Sequence, residues 1–160
     1  MRLAVAALAA FVVVPAHGAD DAGLARMAAC QDSWLDWQKS NPAKLKAFGD
    51  RLRAGFERGD NDPFVVPKAE VSVDGLRIAQ AFPESVGMGV GFSLLVDAKF
   101  DTAKRALERR VGKPLAHCEA SDGMRSCEMP IAEQRTLTVM AEDDPKTTQT
   151  LIGCYYFYEK

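Results

Sequence analysis

Apolar residues recur along this chain with two periods, and the changes between them divide it into elements. Over residues 22–39, Met27, Cys30, Trp34 and Trp37 stand at i, i+3, i+7 and i+10. That is one stripe of a 3.6-residue period, and it predicts a helix with Cys30 and both tryptophans facing inward. Asn41-Pro42 then marks a second start, with Asn as N-cap and Pro in the first turn. This second helix is expected to run to Arg58, with Leu45, Phe48, Leu52 and Phe56 on one side and Gly59 as its left-handed closing residue. The connection between the two is short, so they form a helical hairpin. GDNDPFVVPK, residues 59–68, reads as a loop.

The period then becomes 2. In AEVSVDGLRIAQAF a two-residue turn at Asp74-Gly75 sets Val73 opposite Leu76 and Val71 opposite Ile78, so the apolar residues share one side. VGMGVGFSLLVD, residues 86–97, alternates throughout and predicts a strand with Val86, Met88, Val90, Phe92, Leu94 and Val96 on one face. Its glycines weaken a strand, which implies that a helix, another backbone or a ligand approaches their face closely. Phe100 to Val111 reads as a third helix with Asp101 as N-cap, Gly112 as closing residue and Pro114 beyond. A second Asp-Gly pair, Asp122-Gly123, centres another hairpin, and residues 135–143 and the C-terminal segment alternate again. The predicted order is α-α-β-β-β-α-β-β-β-β. It describes an α+β domain in which a helical hairpin and one further helix pack chiefly on one side of a mostly antiparallel sheet. Periodicity leaves the strand order open.

The N-terminus has a different pattern. Arg2 is followed by 12 apolar residues, Leu3 to Val14, then Pro15 and small residues. This is the layout of a secretory signal peptide, and the run is shorter than the roughly 20 residues a membrane span needs. Cleavage after Gly18 places Ala16 and Gly18 at −3 and −1; a cut after Ala16 is the alternative. The expected organisation is a signal peptide at 1–18 and a single domain at 19–160, periplasmic or secreted. Loss of Arg2 leaves 19 basic against 22 acidic residues, a balance that does not point to nucleic acid.

Export changes the reading of the cysteines. The four are Cys30, Cys118, Cys127 and Cys154, and an even number in an exported chain suggests disulfides. A type I′ turn at Asp122-Gly123 places Cys118 opposite Cys127 at a non-hydrogen-bonded site, where the two Cα atoms lie close enough to bridge. Cys30 and Cys154 then pair by elimination. A redox role fits less well, because catalytic pairs use Cys-x-x-Cys. A metal site built from His117, Cys118 and Cys127 lacks a second ligand knuckle, and oxidised sulfurs do not ligate. No cofactor is expected.

Catalytic signatures fail on inspection. Gly87-Met-Gly89-Val-Gly91-Phe92 has Phe where a dinucleotide loop needs its last Gly, and Asp60-Asn-Asp62 lacks the Gly and Glu of a calcium loop. Once the signal is removed His117 is the only histidine, and it adjoins a cysteine expected to be oxidised. Two surface features remain. Basic residues recur on the second and third helices, with Arg105 and Arg109 prominent on the third, and would suit an anionic surface. Tyr155, Tyr156 and Tyr158 crowd the C-terminus, where tyrosine favours recognition. The function expected is a protein-binding domain, of the inhibitor or immunity type, acting on an envelope or secreted enzyme. The alternatives are an accessory subunit of an envelope complex that pairs through a sheet edge, such as the terminal strand, and a small hydrolase using a carboxylate pair.

Overall fold

A computed structural model describes residues 19–59, 63–83, 85–86 and 89–156. The chain enters through a short strand β1 (Ala19–Asp20) and helix α1 (Ala22–Ala28). Asp21 caps α1, its carboxylate accepting from the Gly23 and Leu24 N–H groups at 2.9 and 3.0 Å. Cys30 then takes a left-handed φ of 57°. A separate helix α2 (Trp34–Ser40) starts from Ser33, whose hydroxyl accepts from the Asp36 N–H. The single helix expected over 22–39 is therefore two. Each half has its own N-cap, and the Arg26 carbonyl accepts from both Gln31 and Asp32 N–H, which closes the first. The inward stripe survives the break: Met27, Cys30 and Trp37 are buried and Trp34 half-buried.

Helix α3 (Pro42–Gly55) begins as expected, with the Asn41 side chain accepting from the Lys44 N–H at 3.1 Å. It stops at Gly55 and not at Arg58. Phe56 turns extended and buries its ring, and strand β2 (Phe56–Arg58) pairs with β3 (Val65–Pro67) inside the stretch expected to be loop. Lys68 finishes the helix from outside. Its ammonium donates to the Arg53 and Ala54 carbonyls at 3.0 and 3.2 Å, and its N–H to Gly55. Gly59 is not a left-handed cap; the Phe64 ring lies where its side chain would be.

The Asp74-Gly75 turn joins β4 (Val71–Val73) to β5 (Leu76–Phe82), with φ of 51° and 76° and Val73 opposite Leu76 as expected. The strand expected over 86–97 is divided. A short β6 (Ser85–Val86) pairs antiparallel with the start of β7 (Gly89–Val96), so the chain reverses between them. Residues 87–88 lie outside the described residues. Helix α4 (Phe100–Val111) has the predicted bounds and its left-handed Gly112, but the N-cap is Lys99 and not Asp101, which sits one position inside. Strands β8 (His117–Ser121), β9 (Met124–Ala132), β10 (Arg135–Glu142) and β11 (Thr150–Tyr156) complete the described residues.

The sheet runs β1-β4-β5-β7-β11-β10-β9-β8, antiparallel except for β1 beside β4. The C-terminal strand lies between β7 and β10, in the middle, so it offers no free edge to a partner. One sheet face carries Phe92, Leu94, Val96, Leu137, Val139, Ile152 and Cys154, all buried. The helices cover this face. Trp37 meets Phe48, and Phe48 meets Phe92, with ring centroids 5.7 and 5.6 Å apart. Ala103, Ala106 and Leu107 of α4 join the same core. Cys30 and Cys154 are bonded, which ties the turn after α1 to the central strand. The opposite face carries Gly91, Ser93, Gly153 and Tyr155. A Cβ at Gly91 would strike the Cys154 carbonyl, so the close approach implied by the glycines is that of the neighbouring backbone.

Candidate interaction surface

The β8–β9 hairpin closes the sheet at one end. Its register is the one the turn dictates: Cys118 faces Cys127, Glu119 faces Ser126, and Ala120 faces Arg125. Asp122 and Gly123 have φ of 52° and 76°, both positive as a type I′ turn requires. Cys118 and Cys127 are bonded with Cα atoms 4.0 Å apart. Every residue of β8 is exposed, whereas Cys127 behind it is buried. His117 is among the exposed residues, opposite Glu128.

Between this hairpin and α4 lies a groove of about 330 Å³, walled by Phe100, Asp101 and Lys104 on one side and by Cys118, Ala120 and Cys127 on the other. It shares Phe100, Asp101 and Arg125 with an adjoining cavity of about 300 Å³ under the turn after β10. Arg125 stands at the junction. Its guanidinium lies 4.6 Å from the centre of the Phe100 ring and 3.7 and 3.6 Å from the carboxylates of Asp101 and Asp143. Two long contacts and a ring face hold it in place. Lys104 is committed to Glu108 at 2.5 Å, and Glu108 also accepts from the Leu115 N–H at 2.9 Å, which anchors the segment leading into β8. The Lys104 hydrogen bond holds the Glu108 carboxyl below the ordinary glutamate range, against an opposing effect of burial.

The surface residues expected from the sequence do not converge. Arg105 and Arg109 are exposed on α4 and line a shallow hollow with Lys113. Tyr155 lies on the opposite side of the sheet, half-buried. Its hydroxyl and that of Ser93 are buried there without a hydrogen bond of ordinary geometry, and burial pushes the phenol up. Tyr156 is a core residue, 2 % exposed, with its ring edge against Trp34 and its hydroxyl near the Met27 sulfur. It presents no surface to a partner. Tyr158 lies outside the described residues. The basic helix faces are largely neutralised: Lys44 pairs with Asp32, Lys46 and Arg53 with Asp50, Arg51 with Asp21, and Arg110 with Asp74. Reasoning from the sequence missed Arg125, Phe100 and the carboxylates near them. Phe100 reads there only as the first residue of the third helix, and nothing local places Asp143 beside Arg125.

No protein-family model, curated protein or solved structure matches the chain. Its two disulfides suggest an oxidising compartment, and among the described residues no helix is long and apolar enough to cross a membrane.

Proposed function

We propose that this chain is an exported protein-binding domain, of the inhibitor or immunity type, that acts by presenting a rigid surface to an envelope or secreted enzyme. The observation that carries the reading is the β8–β9 hairpin, a fully exposed edge held by a covalent bridge beside an open groove. Natural sheets usually cover or blunt such an edge. Fixing one in place lowers the ordering cost of docking, because the surface has little freedom left to lose. Export is supported by the charged start and apolar run of residues 1–18, the layout of a secretory signal, and by the two disulfides, which suit an oxidising compartment.

The test is affinity capture with the mature, oxidised protein from periplasmic extracts and from the secretions of competing cells. The expected result is one partner that co-elutes in a stoichiometric complex and whose enzymatic activity falls when the domain is added. Recovery of nothing across such extracts would overturn the reading.

A further inference from the structure

We propose that the free edge of β8 is a strand-addition site, and that its occupant is an extended segment of the partner protein in which basic and apolar side chains alternate. This rests on the protein-binding reading above and names its surface and the chemistry it takes.

The backbone supplies the site. In a two-residue hairpin the pair flanking the turn, Ser121 and Met124, exchanges both hydrogen bonds, and the pattern alternates outward from there. Ala120 with Arg125 and Cys118 with Cys127 are therefore non-hydrogen-bonded pairs. The 4.0 Å between the two cysteine Cα atoms agrees, since that pair type is the closer one. The N–H and C=O groups of Cys118 and Ala120 thus point away from β9. Among the described residues no other backbone group bonds to them. β8 contains no Lys, no Pro and no bulge, three of the guards against an incoming strand, and its single carboxylate, Glu119, guards only against a strand that does not answer its charge. The disulfide prevents it from fraying.

The side chains select the occupant. Glu119 alternates with Cys118 and Ala120, stands across from Ser126 at the rim of the groove, and neither it nor Glu128 has an ion pair among the described residues. A residue added opposite Glu119 is stabilised if it is Lys or Arg. On the other face Cys118 and Ala120 line the floor of the groove beside Phe100, a small apolar strip that suits Val or Ala. A second copy of this chain is disfavoured. The antiparallel register that uses both Cys118 and Ala120 sets Glu119 against Glu119, and like charges directly opposite repel.

Two labelled peptides of about eight residues, one alternating Lys and Val and the other Glu and Val, test this by fluorescence anisotropy with the mature oxidised protein. The Lys–Val peptide should bind at least about tenfold more tightly than the Glu–Val peptide, and more weakly as salt is raised. Ala120→Pro removes an outward N–H without touching the β8–β9 ladder, and should weaken binding at least about tenfold with the disulfide intact. If that variant does not fold, Glu119→Lys with Glu128→Lys serves instead and should reverse the preference to the Glu–Val peptide. Binding of neither peptide, undiminished binding by Ala120→Pro, or an unreversed preference would each overturn the inference. A native partner still captured by these variants would leave the protein-binding reading standing while the edge site fell.

Discussion

A methyl group at Gly91 would collide with the Cys154 carbonyl oxygen, and one at Gly153 would come within 2.6 Å of the Ser93 hydroxyl and 2.8 Å of the Phe92 carbonyl. Both glycines are packing requirements of the β7–β11 pair. Gly91→Ala is expected to destabilise by about 1–3 kcal/mol, read by chemical denaturation, because the obstacle is backbone and cannot rotate aside. The glycine spacing in the sequence signalled a close approach; only the pairing of β7 with β11 showed what approaches. Glu108 makes a different prediction. Its folded carboxyl is held below the ordinary value, first by Lys104, so its contribution is present above the unfolded pKa of about 4.3 and lost as pH falls through the lower folded value. Glu108→Gln should therefore cost up to about 1 kcal/mol near neutral pH, and the gap from the parent should close in unfolding measured well below about pH 4.

Among the elements, the two Asp-Gly hairpins were the most legible, because a type I′ turn sets the register of every pair beyond it and needs no distant partner. Helix ends were less so. The end of α3 depends on Lys68 reaching back to its last carbonyls and on Phe56 joining a strand pair, and neither leaves a local mark. The stripe from Met27 to Trp37 located the inward face correctly but hid the break at Cys30, since two short helices joined by a tight turn can keep one side buried. The bridge in the β8–β9 hairpin closes a small loop, so replacing Cys118 and Cys127 together with Ala should cost about 2–3 kcal/mol. Hydrogen exchange should rise sharply in β8 and stay slow in β10 and β11, where both neighbours remain paired.

For the molecule as a whole, the bridge between Cys30 and Cys154 spans 124 residues and joins the first helical layer to the central strand. Loop-closure entropy gives it about 5 kcal/mol against about 3 kcal/mol for the hairpin bridge, so its removal should lower the unfolding midpoint more. Titration of the purified protein should find no free thiol in the native or denatured state, because all four cysteines are bonded. Of the surface residues singled out in the sequence, Arg105 and Arg109 lie on α4, Tyr155 on the opposite side of the sheet and Tyr156 in the core. Alternation along a strand says that Tyr155 and Tyr156 face apart; it does not say which of the two faces the helices cover.

Local chemistry along the chain was enough to determine the α+β class, both hairpin turns, the bounds of α4 and the partnership of Cys118 with Cys127, because each is decided within one turn or one period of backbone. Strand order, the burial of the C-terminal strand, the exposure of β8 and the meeting of Arg125 with Phe100 and Asp143 were decided only on folding. Each depends on segments far apart in the chain competing for the same sheet face, and that competition is settled by packing area and backbone pairing.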